Sequence, residues 1–566
     1  MVRKLSALSL TAALVLTGCN NFTPAPISVI APPVVATVTP QSAIQHIVVI
    51  YGENVSFDHY FGTYPNAANT GGTTFTAATG TPTNINNYVS NPNLLTANPN
   101  LTSGNGTSAA NPFRLSPGQA GTADQDHAYG PEQLAFDNGK MDLFPNSVGT
   151  PDTATLVAET AAPGIVGTTA LTMGYYDGNT VTAMWNYAQH YAMNDHSFGS
   201  TFGPSTPGAL NMISGQTNGV TYPFSVPYSS IAASVIPDGQ GGYTDIGDAD
   251  PTGDVCSSPS KNFSMTGKNI GDLLNAAGIT WGFFQGGFNL TLTNKNGTSS
   301  CLAGEASGSR STASVNIPGN PTTADYSPHH QPFQYYASTS NLNHNRPTPG
   351  IAIGATDATG ANHEYDALDF NAALTASTPT MAAVSFIKAP AFQDGHAGYS
   401  DPLDEQTFVV NEINMIQSSP FWANTAIIIA YDDSDGWYDH LTDIVNGSQT
   451  TSDAAICNAT APSLPGPLSN GVAVQGRCGH GPRLPFIVIS PWAKKNFVDN
   501  TPIEQASITR FIEDIFLSST RIGTGSLDSS AGSIMNMFTF TTTGGVPPNP
   551  NVVLLNPTTG AVTTGN

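Results

Sequence analysis

The sequence predicts an α/β fold: a three-layer α/β/α sandwich around a mainly parallel central sheet, with long loop insertions. Three observations predict it. Short apolar, β-branched runs at His46–Tyr51, Thr425–Tyr431 and Leu484–Ser490 read as strands buried on both faces. Segments with apolar residues at helical spacing lie between the strands. The densest clusters of carboxylates and amides stand directly after strands, where open α/β sheets bind ligands.

Taken in order, the N-terminus is a targeting segment. Basic Arg3-Lys4 precedes an apolar run to Leu16 that is too short to span a bilayer. Leu16-Thr17-Gly18-Cys19 reads as a bacterial lipobox, so residues 1–18 are expected to be a lipoprotein signal peptide and Cys19 the lipidated residue. Asn20 follows Cys19 rather than Asp, so no inner-membrane retention signal is evident. The chain is therefore expected to be exported, a periplasmic or cell-surface lipoprotein of the outer membrane. Residues 19–40, rich in Pro, Thr, Ala and Val, read as a flexible tether. The folded domain is expected over 41–540, with a C-terminal tail at 541–566.

Within the domain, 66–115 is rich in Asn, Thr and Gly without periodicity and reads as a surface insertion. Thr180–Met193 has helical spacing. Residues 215–345 are polar and Gly-rich, except for a helix opening at Asn269 and a strand over Ile279–Phe284. Met381–Ile387 reads as a strand, and Asp404–Ser418 and Ile503–Leu517 as helices. The loops at 66–115 and 225–325 are expected to shape the mouth of the site.

Lys plus Arg number 16 against 39 Asp plus Glu, a formal net charge of −23. That field repels nucleic-acid backbones, so no nucleic-acid partner is expected. A site for an anionic ligand on such a chain needs a local cation, and the scarcity of Lys and Arg points to a metal. Apart from Cys19, four cysteines remain: Cys256, Cys301, Cys457 and Cys478. An even count in an exported chain suggests two disulfides, and sequence proximity favours Cys256–Cys301 and Cys457–Cys478 among three pairings.

Two strand ends carry hard-ligand chemistry. Glu53-Asn54 follows the first strand and Asp432-Asp433 follows the Thr425–Tyr431 strand. Adjacent carboxylates at a buried strand end repel each other unless a cation lies between them. Asp432-Asp433 alone could equally be a helix cap beside a solvated acid; with Glu53-Asn54 at a second strand end, a shared metal is the better reading. The all-oxygen donor set suits Ca, Mg, Mn or ferrous iron.

Ser205 lies in Gly203-Pro204-Ser205-Thr206-Pro207-Gly208, a turn that holds a hydroxyl at a helix N-terminus, where anions are favoured. From this segment alone, a simple N-cap at Ser205 or Thr206 is the commoner outcome. The G-x-S-x-G spacing of an ordinary esterase is absent. His127, His329, His330 and His396 lie in loops and are candidate ligand-binding residues. His440 is placed as a support behind the site, while His46, His190, His344 and His363 read as ordinary histidines.

Together these motifs resemble, in order, those of the bacterial phosphoesterase family of acid phosphatases and phospholipases C. Glu53-Asn54-Val55-Ser56-Phe57-Asp58-His59-Tyr60-Phe61-Gly62 resembles its opening motif and Gly203-Pro204-Ser205 its nucleophile turn. Tyr431 to His440 resembles its second metal motif and Gly481 to Trp492 its closing strand. The resemblance implies an alkaline-phosphatase-like fold. It implies one divalent metal on Glu53, Asn54, Asp432, Asp433 and the Ser205 hydroxyl. It also implies Ser205 as the nucleophile and a phosphate site lined by Asn54, His127, His329, His330 and His396, with His127 or His396 as general acid. The expected substrate is a small phosphate ester or a phospholipid. The phospholipase branch typically carries Thr followed by Asp-Pro-Asn-Arg at the nucleophile. Pro204-Ser205-Thr206-Pro207 departs from that pattern towards the acid phosphatases, as does the short stretch after residue 520. A phosphomonoesterase with a phosphoserine intermediate, best at mildly acidic pH, is therefore expected first, and a phospholipase C for choline or ethanolamine lipids second.

Overall fold

The structure is a computed structural model and describes residues 34–151, 167–237, 242–291, 324–443, 468–469, 472–473, 479–523 and 525–564. Residues 1–33, including Cys19, and Cys301, Cys457 and Cys478 lie outside the described residues, and with them the signal, lipidation and disulfide expectations.

Eight strands form the central sheet: β1 (His46–Gly52), β2 (Ala192–Asn194), β3 (Trp281–Gln285), β4 (Glu364–Asp366), β5 (Val384–Lys388), β6 (Thr425–Tyr431), β7 (Phe486–Ile489) and β8 (Phe497–Asp499). Their order is β4-β3-β5-β1-β6-β7-β2-β8, and β7 alone runs against the rest. The sheet is thus mainly parallel. Its centre is β1, paired with β5 on one side and β6 on the other. The apolar runs in β1 and β6 make sense there, because almost every residue of both strands is buried.

Among the described residues, the α-helices of five or more residues are α1 (Phe57–Phe61), α2 (Tyr129–Phe136), α3 (Thr182–His190), α4 (Ser205–Ser214), α5 (Ile270–Ala277), α6 (Ala367–Thr375), α7 (Pro402–Gln417) and α8 (Ala506–Phe516). One layer packs α3, α6 and α7 together, and another packs α4, α5 and α8. Helix α8 shows why: Ile508, Phe511, Ile512 and Ile515 lie on its buried face, while Arg510 and Asp514 stay nearer water. Asp401 caps α7, accepting from the Leu403 and Asp404 amides, and Pro402 sets its first turn.

Several elements differ from the sequence reading. The helix expected over Thr180–Met193 stops at His190, and strand β2 follows within the same stretch. The polar region after residue 215 is more than loop. It builds a five-stranded side sheet from Asn218–Thr221, Val235–Pro237, Tyr243–Asp245, Asp250–Pro251 and Asn262–Met265. Strands of two to four residues have too few positions to show period-two patterning. The 66–115 insertion is tied down by buried amides: Asn98 and Asn105 donate to the loop carbonyls of Leu94 and Asn100, and Asn87 and Asn100 donate to the carbonyls of Phe61 and Met141 outside it. Val35–Thr37 pairs antiparallel with Thr541–Thr543, and Leu555 is bonded through its backbone to Asn414 of α7.

Candidate functional site

Because β1, β5 and β6 are parallel neighbours, Gly52, Lys388 and Tyr431 end at one edge of the sheet. Glu53-Asn54 and Asp432-Asp433 follow two of these ends and are buried. The Asn54 amide donates to Asp432 Oδ1 at 3.0 Å, which ties the two loops together. Asn54 itself has φ 58°, a left-handed conformation that Asn tolerates better than most residues.

Helix α4 brings Ser205 to the same place. Pro204 occupies the cap position, and Ser205 does not cap the helix through its side chain. Its hydroxyl instead lies 3.2 Å from Glu53 Oε2, 3.2 Å from Asp433 Oδ2 and 3.4 Å from Asn54 Oδ1. Thr206 turns the other way, and its amide and hydroxyl both donate to Asp248 Oδ1 at 3.0 and 2.9 Å. Gly208, one turn on, backs against the Asp432 carbonyl so closely that a Cβ would lie 2.1 Å from that oxygen. This close approach lets the helix N-terminus reach the carboxylate loops.

The arrangement suits a cation. Glu53, Asn54, Asp433 and Ser205 all turn oxygens toward one another. Asp432 Oδ2 is buried with no hydrogen-bond partner. The Asn54 oxygen faces only acceptors; either a cation lies among these oxygens, or the amide turns over and donates to Glu53 and Asp433. Burial, together with Glu53 and Asp433, drives the Asp432 carboxyl well above its ordinary range. Burial pushes Asp433 up to about 7, with His127 opposing. A divalent ion would reverse both effects. The oxygens gathered here are hard donors.

Behind Glu53 stands Lys388, the last residue of β5. It is fully buried, and its ammonium is paired with Glu53 Oε1. His330 Nδ1 reaches the same oxygen at 2.9 Å. Burial would raise the Glu53 carboxyl, but His330 and Lys388 outweigh that and hold it well below the ordinary range. His127 and His396 lie on the other side of Asn54. His127 Nε2 is 3.4 Å from the Asn54 amide nitrogen, and its Nδ1 is 3.2 Å from Asp435. Burial would lower His127, but Asp433, Asp435 and Asp124 raise it well above its ordinary value. The His396 ring lies 6.0 Å from that of His127, and burial lowers its pKa. His329 is set further out, with Nδ1 3.5 Å from Asp250 and Nε2 3.9 Å from Asp248. Burial would lower it, but Asp248 and Asp250 raise it. The candidate metal and phosphate ligands named from sequence therefore meet around Asn54 and Ser205, with His329 at the periphery.

Some contributors escaped the sequence reading. Lys388 could have been found as a cation closing an apolar strand. Asp248 had no motif. Glu132 of α2 bridges the two halves, accepting from the Gly203 amide at 2.8 Å and from the Ser434 hydroxyl at 2.6 Å. His440, expected as a support, donates its backbone amide to Asp58 at 2.9 Å, and its ring is 2.6 Å from the same carboxylate. A cleft of about 310 Å³ opens beside the Gly203–Ser205 turn, with His127, Pro204, Asp248 and Lys261 in its walls.

Residues 44–517 match the model of the Phosphoesterase family, and the chain belongs to that family. It is 29% identical over 143 residues to a non-hemolytic phospholipase C of Pseudomonas aeruginosa, a match covering 24% of this chain and 20% of that protein. A non-hemolytic phospholipase C of Burkholderia pseudomallei is 32% identical over 146 residues, 24% of this chain and 19% of the relative. Phospholipase C A of Mycobacterium tuberculosis is 28% identical over 142 residues, 25% of this chain and 26% of its own length. The matches thus span a fifth to a quarter of these relatives. The solved structure of murine ectonucleotide pyrophosphatase/phosphodiesterase 5 aligns with 63% of this chain and 95% of its own at 12% identity, with a TM-score of 0.28.

Proposed function

We propose that this phosphoesterase is a metal-dependent acid phosphatase that hydrolyses phosphate monoesters through a phosphoserine at Ser205. One observation carries the reading: the Ser205 hydroxyl, at a helix N-terminus, lies 3.2–3.4 Å from three oxygens of Glu53, Asn54 and Asp433. A nucleophile, its activating charge and a site for phosphoryl oxygens then coincide.

Glu53, Asn54, Asp432, Asp433 and Ser205 would hold one divalent ion, identity open among Ca, Mg, Mn and Fe. When bound, the ion supplies Lewis acidity that lowers the Ser205 hydroxyl pKa and draws charge from a phosphoryl oxygen. Ser205 gives its hydroxyl proton to Asp433, 3.2 Å away, and through it to solvent; its Oγ attacks phosphorus in line, and the bond from phosphorus to the alcohol oxygen breaks. His127 or His396 gives that oxygen its proton. Asn54, His329 and His330 orient the phosphoryl oxygens. Water then cleaves phosphoserine, releasing phosphate and restoring the hydroxyl. Lys388 acts from behind by holding Glu53 ionised and in place.

The 310 Å³ cleft beside Pro204 has room for a small leaving group, and the Pro204-Ser205-Thr206-Pro207 turn favours the monoester. A second reading, phospholipase C, is favoured by the names of the relatives. Export with a lipid anchor on Cys19 is proposed from the Leu16–Cys19 motif; among the described residues no helix is long and apolar enough to cross a membrane.

The test is release of phosphate from a chromogenic monoester, beside release of phosphocholine from a lipid, by wild type and Ser205→Ala across about pH 4 to about pH 9. Monoester turnover in acid that falls by roughly 10³-fold or more in the variant is expected. Preference for the phosphocholine lipid would move the assignment to phospholipase C. Turnover that survives in Ser205→Ala would exclude Ser205 as nucleophile.

A further inference from the structure

Away from Ser205, α6 and α7 part to leave a cavity of about 460 Å³. Pro390, Phe392, Phe408 and Met415 give it apolar walls, and Glu412 and Asn371 give it a polar one. None of the groups contacting Ser205 lines it, and among the described residues neither does any Lys, Arg or His. Cavities of this size and mixed lining accept small molecules.

Glu412 is the unusual member. Phe408, Glu412 and Met415 fall at helical spacing on one face of α7, where a carboxylate is out of place. The Glu412 side chain is 3% exposed. Oε1 accepts from Asn371 Nδ2 at 2.9 Å, whereas Glu412 Oε2 and Asn371 Oδ1 are both buried acceptors without a partner among the described residues. Leaving such groups unmet is unfavourable. Asp366, another acid of the wall, is already committed: it caps α6 through the Leu368 amide and also accepts from the Asn289 amide. Only donors would satisfy the Glu412–Asn371 pair. Burial pushes the Glu412 carboxyl up to about 7, as expected for an acid held without a cation.

We propose that this cavity binds a small organic ammonium ion, with its N–H groups donated to Glu412 and Asn371 and its hydrocarbon body against Pro390, Phe392, Phe408 and Met415. The aromatic walls add attraction for a cation. An anion is excluded by the acidic lining, and a neutral isostere would satisfy only part of the acceptor pair.

Calorimetric titration of the full chain with benzylammonium, benzyl alcohol and benzoate tests this. Benzylammonium is expected to bind one to one, at least tenfold tighter than benzyl alcohol, and benzoate not at all. Glu412→Gln should weaken benzylammonium at least tenfold and erase the preference over the alcohol. Leu368→Trp, at an exposed rim position that does not threaten folding, should also weaken it by obstructing the entrance. Asp248→Asn, in the cleft beside Ser205, should leave it unchanged. Equal binding of alcohol and ammonium, full affinity in both cavity variants, or loss confined to Asp248→Asn would overturn the proposal. None of these readouts depends on phosphate ester turnover.

Discussion

Replacing Arg483 by methionine removes the cation that joins the two acidic loops from behind. Arg483 is fully buried. Nε donates to Asp439 Oδ1 at 2.8 Å and Nη2 to Asp58 Oδ1 at 3.2 Å. Nη1 donates to the carbonyls of Asn86 and Asp195, both at 2.8 Å, and the guanidinium lies 4.4 Å from the centre of the Phe57 ring. Asp58 follows the Glu53-Asn54 loop, and Asp439 follows the Asp432-Asp433 loop. Burial would raise Asp58, but His440 and Arg483 outweigh it and hold the carboxyl below its ordinary range. Methionine keeps most of the volume and leaves both carboxylates and both carbonyls without this donor. Breaking a buried ion pair by deleting one partner costs about 3–5 kcal/mol. We expect a loss of that size in urea unfolding at neutral pH, together with weaker metal-dependent turnover. Adding Asp439→Asn removes one orphaned charge and should recover about 1–2 kcal/mol, a non-additivity expected only of groups in contact. A loss under about 1 kcal/mol, or strictly additive losses in the double variant, would refute the idea that Arg483 clasps the loops.

Other expectations follow from single contacts. Gly208→Ala places a methyl 2.1 Å from the Asp432 carbonyl, so α4 must retreat from the carboxylate loops; monoester turnover should fall roughly 100-fold or more, as for other small displacements of reacting groups. Chelation should abolish turnover and lower the melting temperature, because the clustered Glu53, Asp432 and Asp433 lose their counter-charge, and added divalent ion should restore both; an unchanged melting curve would argue against a resident metal. Glu412 has a folded-state pKa of about 7, above that of the unfolded chain. Its contribution to stability is therefore fully present below about pH 4 and is lost as pH rises through about 7. Glu412→Gln should then stabilise the protein at pH 8 by roughly 2 kcal/mol more than at pH 5, in urea titrations at the two values. Equal effects at both would mean that this carboxyl titrates normally.

Much of this was legible in the chain itself, because some physical requirements are local. A strand buried on both faces must be apolar along its whole length, so β1 and β6 declare themselves. Their parallel alternation with helices gives the three-layer class. Carboxylates and amides directly after such strands mark a ligand-binding edge, and Glu53-Asn54 and Asp432-Asp433 were found in that way, whereas Ser205 came from its Gly203-Pro204 turn and the family resemblance. The tertiary structure decided what depends on approach between distant segments. The Ser205 hydroxyl faces acids rather than capping its helix because Gly208 lets α4 close on Asp432. Lys388 supports Glu53 only because β5 lies beside β1. Glu132 and Arg483 join loops hundreds of residues apart, and nothing in their own flanks marks them out. Residue type and spacing determine which groups can do chemistry, whereas close packing of remote segments decides which of them share one site.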